Sequence, residues 1–463
     1  MKISHLFLIG ILLSFISCSR FEETKTDLYA HVDAPSNPVS DTAPLHGSIK
    51  GTMLKGKTYT IDADVYVNKS DTLIIQEGVH LNVINSAGIL VKGVFISLGT
   101  KENPNWITVP NVVKTDEPGA DVNSDPAYKG LWKGILATPD CPLMVIKWTH
   151  VEFGGAAVMG LFSDIGFNSG NKGAYDIYFQ NPAGLFVLED SWIYGSVDDP
   201  VRVLGGRVEM FRNTFEKCGY TGGEAVNLKA GAVGDFAYNL CIGIATNGPK
   251  ASNKSATIAQ TNMRFYNNTI VNCGFRRADP GRGGSINYEE GAAGMYYNNL
   301  VVNCRYGPRV VPNPIADIAH LFYGNTFQYA DDAAMASEFY PHGYIQIPQT
   351  SDFPKPSTFL PASYQPGDVY DGSSLVGLNN PQFVNAPIPT PPGRQASDYS
   401  AVNNFNFSLK LNSPCIGKGF TGFKALGNEQ NFPIDLKYGA SEITPPGKDI
   451  GAYQINGTGN QHF

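Results

Sequence analysis

The chain has 463 residues and a net charge of −7, with 34 Lys and Arg against 41 Asp and Glu. That acidic balance argues against a nucleic-acid-binding protein, which normally presents a basic face. Only 16% of the residues are charged and 50 are glycine, whereas roughly 25% are charged in an average soluble domain. The composition suits many short strands joined by tight turns.

The first residues have the pattern of a secretion signal. An apolar run at 6–16 is too short to cross a bilayer easily, and Cys18 follows it closely. A cysteine at this point resembles a bacterial lipobox, so we expect residues 1–18 to be a signal peptide with Cys18 as the lipidated residue. The alternative is an ordinary signal peptide with an incidental cysteine. Residues 19–46 are polar and contain proline, as expected for a flexible tether.

Two features after this cysteine bear on location. Ser19, in place of an aspartate, is typical of sorting to the outer membrane, and Glu22-Glu23 resembles the acidic export tag of surface lipoproteins in Bacteroidetes-type bacteria. We therefore expect an outer-membrane lipoprotein that is exposed at the cell surface or faces the periplasm. No later segment has the length and apolarity of a membrane span, so we expect membrane contact through the lipid anchor only.

The segment from Gly51 to Thr58 matches the phosphate-binding pattern GxxxxGK[ST]. In a working phosphate loop, this pattern follows a buried strand and opens a helix. Here residues 59–67 have the alternation of a strand. We interpret the match as a turn at the start of the fold and predict no nucleotide binding.

Residues 58–98 consist of short apolar or alternating runs separated by turns that contain glycine. Leu73–Ile75 and Gly88–Val91 are two such runs, and Glu77-Gly78 and Lys92-Gly93 are two such turns. This spacing predicts a series of short strands and no helix.

A short motif with Asn at its centre recurs through the middle of the chain. The Asn, or Ser in the first copy, stands at what we name the ladder positions: 191, 213, 239, 268, 299 and 325, which are 22, 26, 29, 31 and 26 residues apart. One coil of a parallel β-helix needs about that many residues, for three strands and three turns. Successive coils lie about 4.8 Å apart, so each Asn would hydrogen-bond to its neighbours above and below. The repeat predicts an all-β solenoid over residues 47–330.

Six cysteines follow Cys18, and three of them stand five residues after a ladder Asn. The chain contains no CxxC motif and no zinc-like spacing. We expect these side chains to stack inside the coils as small apolar residues, and disulfide pairing in an exported protein is the alternative. The six are Cys141, Cys218, Cys241, Cys273, Cys304 and Cys415.

Several segments resemble secreted right-handed parallel β-helix proteins of the pectate-lyase-like kind. The resemblance is carried by residues 73–109, by Gly130–Leu136 and Trp148–Phe153, and near the end by 407–419 and 449–453. It implies a right-handed solenoid over about residues 50–455. It implies less about function, because that fold hosts many activities.

Residues 331–463 differ from the rest of the chain. They are rich in proline and contain few clear strand patterns. A solenoid needs a cap, since an open terminal coil exposes apolar core and unpaired strand edges. We therefore expect loop-rich terminal coils and a cap in this region.

Charged residues recur at similar distances after successive ladder positions, in a chain otherwise poor in charge. Coil stacking would place them on one longitudinal strip, and coil insertions at 245–261 and 274–287 fall in the same part of the chain. In pectate-lyase-like proteins the polysaccharide groove follows the corresponding turn, so the resemblance makes this strip the candidate groove. The strip comprises Asp198, Asp199, Arg202, Glu224, Lys229, Lys250, Arg276, Arg277, Asp279, Arg282, Arg305 and Arg309.

The chemistry of this strip suits an acidic glycan. Arg and Lys neutralise a uronate carboxylate, which the forked guanidinium of Arg matches well. In this fold an Arg or Lys also serves as the base that removes the adjacent proton. We assign catalytic roles to Arg276, Arg277, Arg305, Lys229 and Glu224, and binding roles to Arg202, Arg282, Arg309 and Asp279.

Other roles remain open for the same residues. Asp198 and Asp199 are candidate Ca²⁺ ligands, because Ca²⁺ takes several oxygen donors. A hydrolase would use two carboxylates, with Glu224, Glu289 and Glu290 the nearest. Alternatively, stacked Arg and Asp residues simply pair with one another and contribute little.

The sequence thus predicts a lipoprotein, expected to be monomeric, that binds or degrades polysaccharide. Its enzymatic form would be a polysaccharide lyase of acidic glycans or a glycoside hydrolase. The alternative is a non-catalytic β-helix adhesin or glycan-binding scaffold. A groove that clusters Arg, Lys and carboxylates would favour the enzyme, and a flat strip of paired charges would favour the binding protein.

Overall fold

The computed structural model describes residues 38–114, 123–158, 175–256, 259–277, 279, 283–310, 314–333, 376–377, 380–386 and 405–462. The expected signal peptide with Cys18, most of the expected tether and Arg282 lie outside the described residues. No helix among the described residues has the length and apolarity needed to cross a membrane.

The body of the chain is a parallel β-helix, as the ladder repeat predicts. Twenty-seven strands belong to one hydrogen-bonded system in which every pairing is parallel, and each strand pairs with strands one coil before or after it. Because each coil contributes three strands, the strands form three faces along the solenoid, here named sheets A, B and C.

Sheet A contains β2 (Gly51–Met53), β4 (Thr72–Ile75), β7 (Val94–Leu98), β10 (Leu143–Lys147), β13 (Leu185–Glu189), the second halves of β15 (Val201–Phe211) and β17 (Val226–Ala237), β20 (Asn262–Tyr266), β23 (Ala293–Tyr297) and β26 (Leu321–Gly324). Sheet B contains the first half of β3 (Thr58–Val67), β5 (His80–Val83), β8 (Asn105–Thr108), β11 (Thr149–Glu152), β14 (Trp192–Ser196), β16 (Thr214–Cys218), β18 (Leu240–Ile242), β21 (Thr269–Val271), β24 (Leu300–Val302) and β27 (Phe327–Tyr329). Sheet C contains β1 (Leu45–Ser48), the second half of β3, β6 (Gly88–Val91), β9 (Gly134–Ala137), β12 (Ile177–Phe179), the first halves of β15 and β17, β19 (Pro249–Ser252), β22 (Asn287–Glu289) and β25 (Arg309–Val310).

Few described residues lie in other regular elements. Strands β28 (Phe383–Asn385) and β29 (Asn406–Leu409) form a separate antiparallel pair. Single helical turns occur at Pro126–Tyr128 and Ile318–His320, and helix α1 spans Leu426–Glu429. The fold is therefore almost entirely β, because the sequence has short strand patterns and no sustained helical period.

The Asn ladder lies in the interior at the corner between sheets A and B. Asn213, Asn239, Asn268 and Asn299 have no exposed surface. The Oδ1 atom of Asn239 accepts from the backbone N and the Nδ2 of Asn213, both at 2.9 Å, and the same pair of bonds recurs at the next two steps. The ladder satisfies corner amides that would otherwise be buried without partners.

The last predicted ladder position is wrong by one residue. Strand pairing aligns Tyr297 with Gly324 and Leu300 with Phe327. The partner of Asn299 in the next coil is therefore Thr326. Asn325 instead continues an outer column, where its Nδ2 donates to the Oδ1 of Asn298 at 2.8 Å.

The six cysteines that follow Cys18 are all buried. Cys141, Cys218, Cys241, Cys273, Cys304 and Cys415 are all free thiols. Adjacent coils bring Cys273 and Cys304 together, with the backbone N of Cys273 at 3.5 Å from the Sγ of Cys304. This is the stacked, apolar arrangement that the spacing predicts, whereas Cys415 packs on the outer face of sheet B and not inside the coils.

The described part of the C-terminal region covers the sides of the solenoid. Residues 405–462, here named the strap, pack Tyr438 and Ala440 against sheet A in the early coils, and Phe432 and Ile443 against sheet A farther along. Ile450 and other strap residues pack on the apolar outer face of sheet B. The strap therefore buries outer faces of sheets A and B and leaves the later coils of sheet C to form a site.

A buried carboxyl lies beneath the strap at Glu209 on β15. It has no exposed surface, and neither of its oxygens has a hydrogen-bond partner among the described residues. Strand pairing places Asp235 beside it, and the strap donates two backbone N–H groups to Asp235 but none to Glu209. Burial, together with Glu189 and Asp235, raises the pKa of Glu209 well above its usual range, whereas Lys147 and Arg207 oppose the rise.

Glu209→Gln is expected to stabilise the protein in a pH-dependent way. A raised pKa in the folded state stabilises the fold fully below the unfolded pKa, and this stabilisation is lost as pH rises through the folded pKa. The uncharged variant avoids the loss, so it should be more stable than the unsubstituted protein at pH 8 and about equally stable at pH 4. Thermal unfolding of both proteins at the two pH values measures this, and equal differences at both would contradict it.

Candidate functional site

A column of polar side chains runs along the outer surface of sheet C. Parallel pairing brings one residue from each of five successive coils into register: Arg202, Asn227, Lys250, Asn287 and Arg309. Their strand neighbours, such as Val201 and Val203, are fully buried in the core. The alternation of inward and outward side chains in a strand therefore directs the column outward.

Together with the preceding turns, this column forms a charged cavity of about 200 Å³. Eight residues of the predicted strip line it: Asp198, Asp199, Arg202, Glu224, Lys229, Lys250, Arg277 and Arg309. The rest of the lining is Gly223, Asn227, Thr246, Asn247, Gly283, Asn287 and Glu289. Stacking thus brings together residues from 198 to 309, and five basic side chains face four acidic ones.

Asp199 is the best-satisfied carboxylate of the charged cavity. Its Oδ2 accepts from Arg202 at 2.5 Å and from the Nδ2 of Asn227 at 2.9 Å, while its Oδ1 accepts from the backbone N of Glu224 at 2.8 Å. Although burial opposes ionisation, these donors hold the pKa of Asp199 well below its usual range. Asp199 is therefore a fixed negative charge that orients Arg202.

The neighbouring Asp198 has a different protonation behaviour. Burial and the charge of Asp199 raise the pKa of Asp198 to about 6. The described residues include no group of three or more His, Cys, Asp and Glu side chains arranged to hold a metal ion. A Ca²⁺ ion at this pair would have to compete with Arg202 and Asn227 for Asp199. Ca²⁺ binding here stays a prediction.

Glu224 is poised as a proton donor. Burial raises the pKa of Glu224 to about 8, and the charge of Asp199 and a hydrogen bond with that carboxylate add to the rise, while Lys250 opposes it. At neutral pH the Glu224 carboxyl therefore holds its proton. A buried carboxylic acid of this kind matches the requirement for a general acid.

Lys250 lies between two acidic side chains of the lining. Its Nζ is 2.7 Å from Glu289 and 3.7 Å from Glu224. Glu289 also accepts from the Nδ2 of Asn287 at 3.0 Å. Because Lys250 neutralises Glu289, this carboxylate is poorly suited to be the free base of a two-carboxylate hydrolase.

Lys229 is the cation of the lining that has no hydrogen bond or ion pair with any other described residue. Burial lowers the pKa of Lys229, and the positive charges of Arg202 and Lys250 lower it further. A lysine with a lowered pKa has a larger neutral fraction near pH 7 and can accept a proton. Lys229 is therefore the strongest candidate base in the charged cavity.

The remaining predicted residues have other surroundings. Arg276 is buried and donates to the carbonyls of Gly219 at 2.8 Å and of Cys218 and Gly243 at 2.7 Å. These bonds hold an insertion against the turns of earlier coils, away from the cavity lining. Arg305 similarly donates to the carbonyls of Gly274 and Arg277.

Arg277 and Asp279 form an ion pair at the rim. Their side chains are 2.8 Å apart, and that of Asp279 is 60% exposed. Arg309 donates to the carbonyl of Gly283 at 3.2 Å, which fixes it at the far end of the column. The position of Arg282 lies outside the described residues.

Counting charged residues from the ladder positions did not identify the three asparagines of the lining. Asn227, Asn247 and Asn287 carry no charge, so a search for recurring charge passes over them. The strand alternation around Asn227 and Asn287, apolar on both sides, is the signal that would have found two of them. Asn247 lies in a turn and has no such signal.

Comparisons of the chain with protein-family models, with curated proteins and with solved structures find no match. Function is therefore inferred from the chemistry of the charged cavity alone.

Proposed function

We propose that the charged cavity binds an acidic glycan and cleaves it by β-elimination, with Lys229 as the base and Glu224 as the acid. The observation that carries the proposal is that one cavity lining contains both a candidate proton acceptor and a candidate proton donor. Lys229 has a lowered pKa and no hydrogen-bond or ion-pair partner among the described residues, while Glu224 has a raised pKa and holds a proton. Two groups whose environments push their pKa values in these directions are the mark of acid–base catalysis.

The charge of the cavity supports an anionic substrate. With Glu224 protonated and Lys229 neutral, four cationic side chains still face only three carboxylates. Arg202 and Arg309, at the two ends of the column, offer guanidinium groups suited to carboxylates. Neutralising a uronate carboxylate makes the adjacent C–H more acidic, so the same residues would both bind and activate.

The proposed step is a balanced elimination. The amine of Lys229 takes the proton from C5 of the uronate, and the C5–H electron pair forms the C4=C5 bond. The C4–O bond breaks, and its oxygen takes the proton of Glu224. The products are two shorter glycans, one of which has an unsaturated non-reducing end. Both side chains then return to their starting forms by proton exchange with water.

Incubation with a panel of acidic and neutral polysaccharides tests the proposal. We expect ultraviolet absorbance from the C4=C5 bond with an acidic polymer, and none with neutral polymers. Parallel reactions with Ca²⁺ and with chelator determine whether a cation at Asp198 and Asp199 contributes. New reducing ends without unsaturation would overturn the elimination in favour of hydrolysis.

The pH dependence of kcat/KM should be bell-shaped, with loss of activity at low pH as Lys229 is protonated and above about pH 8 as Glu224 ionises. Lys250 lowers the pKa of both groups. Lys250→Met should therefore move both limbs to higher pH. An unchanged profile in this variant would mean that other groups control the rate.

A non-catalytic glycan-binding role is the second candidate. The pairing of Arg202 with Asp199 and of Lys250 with Glu289 favours it, because paired charges describe a preorganised surface without free reactive groups. The same panel distinguishes the two roles. Retained binding of an acidic glycan with no new ends would establish the binding protein.

We further propose that the solenoid is right-handed and pectate-lyase-like, and that lipid on Cys18 attaches it to a bacterial outer membrane. The segments that resemble secreted β-helix proteins support the first proposal, and the apolar run before Cys18 supports the second. A lipid tether would hold the charged cavity close to glycans at the cell surface.

A further inference from the structure

Cations and amides alternate strictly along the sheet C column. The order over five coils is Arg202, Asn227, Lys250, Asn287 and Arg309. Adjacent coils are separated by about 4.8 Å, so cations recur about every 9.6 Å and the two amides have the same separation. That interval is comparable with the length of a disaccharide in an extended glycan.

The two amides of the sheet C column have a fixed orientation. Asn227 donates its Nδ2 to Asp199 at 2.9 Å, and Asn287 donates its Nδ2 to Glu289 at 3.0 Å. Asn247, in the turn beside them, donates its Nδ2 to Glu224 at 3.4 Å. At Asn227 and Asn287 the reversed orientation would set an amide oxygen against a carboxylate oxygen, so Asp199 and Glu289 determine which amide atom remains.

The remaining amide atom in each case is an acceptor without a donor. The Oδ1 atoms of Asn227, Asn247 and Asn287 have no hydrogen-bond partner among the described residues. The three side chains are at least nine-tenths buried, at 2–3% residue exposure. A buried acceptor without a donor destabilises the unliganded cavity. A ligand that brings hydroxyl or amide N–H donors would remove this cost.

From this alternation we infer that the cavity recognises an acidic glycan in which charged sugars alternate with neutral sugars. Arg202, Lys250 and Arg309 take the acidic groups, and the Asn227 and Asn287 oxygens accept hydroxyl or amide hydrogens of the intervening neutral sugars. A homopolymer of uronate would set a carboxylate opposite each amide oxygen, which repels it. The inference rests on the proposed binding of an acidic glycan but not on its cleavage.

Binding of two polymers tests this inference. Length-matched oligosaccharides of hyaluronan, in which an acidic and a neutral sugar alternate, are compared with those of polygalacturonate, which is acidic throughout. Calorimetric titration of the full chain carrying Lys229→Ala keeps cleavage from interfering. We expect the alternating oligosaccharide to bind at least tenfold more tightly. Equal or tighter binding of polygalacturonate would overturn the inference.

Asn227→Leu with Asn287→Leu is the matched test of the amides. The double variant should lose about tenfold in affinity for the alternating oligosaccharide. Its affinities for the two ligands should then differ by no more than about twofold. Asn103→Ala, at an exposed turn residue outside the lining, should change neither affinity. An equal loss for both ligands would overturn the role of the amides.

The two proposals fail in distinguishable ways. Preference for the alternating ligand without cleavage of any acidic polymer by the unsubstituted chain would remove the lyase and keep the specificity. Cleavage of a homopolymer, with no preference for the alternating ligand, would keep the lyase and remove the specificity. Thermal unfolding of each variant confirms that it is folded.

Discussion

Lys229→Ala is expected to lower kcat for glycan cleavage by about 10²- to 10⁴-fold, the usual contribution of a positioned proton-transfer group. Lys229 lines the charged cavity, and burial and two neighbouring cations lower its pKa. Glycan affinity should change much less, because the other cations of the lining remain. Initial rates of unsaturated-end formation and titrations with the same glycan separate the two effects.

Two further variants make this result specific. Lys69→Ala removes a lysine that is 72% exposed, outside the lining and 2.9 Å from Asp140, so it should cleave at the normal rate. Lys229→Arg replaces the amine with a group that titrates far above neutral pH, so the rate at pH 7 should fall and the low-pH limb should move to higher pH. If Lys229→Ala lost affinity at an unchanged kcat, the lysine would be a binding residue and the elimination would be wrong.

The fold was predictable because the same Asn-centred motif recurs in successive coils and forms the same hydrogen bonds at each step. Each ladder Asn accepts from both the backbone N and the side chain of the ladder residue one coil earlier, so the same residue type recurs at this position. The register error at Asn325 arises at the end of the ladder. There the two adjacent residues, Asn325 and Thr326, are both polar, and only strand pairing distinguishes the outer from the inner position.

The sequence predicted which part of the coils carries the charged strip. It did not predict which residues of adjacent coils lie level with one another. Coils of 22 to 31 residues differ mainly in their turns, so a fixed count from the ladder drifts. Counting set Glu224 level with Arg202, whereas strand pairing sets Asn227 level with it and leaves Glu224 in the preceding turn. The alternation within each strand is a better guide than distance from the ladder, because side-chain direction is fixed locally.

Long-range packing was beyond the sequence pattern. Nothing in the spacing of Arg276 distinguishes it from Arg277, yet the first is buried on backbone carbonyls and the second lines the cavity. The strap is a similar case. Its proline-rich composition predicts loops, but the apolar outer faces of sheets A and B decide where those loops pack.

Asn268→Ala is expected to destabilise the protein by about 4 kcal/mol, because it removes four buried hydrogen bonds at once. The Oδ1 of Asn268 accepts twice from Asn239, at 3.0 and 3.1 Å, and its Nδ2 donates to Asn299 at 2.9 Å and to the carbonyl of Phe236 at 3.0 Å. Alanine removes one hydrogen-bond partner from each of these groups. Water cannot replace that partner, because the groups lie in the buried interior.

The damage should be local, because each coil of a solenoid contacts mainly its neighbours. Amide hydrogen exchange should accelerate in β17, β20 and β23, and stay unchanged in β5 and β8. Asn325→Gly is the matched control. It keeps the positive φ of 45° that this corner requires and lies outside the ladder, so it should destabilise by only about 1 kcal/mol. If both variants had equal effects, Asn325 would belong to the ladder after all; if exchange rose uniformly, the coils would unfold as one cooperative unit.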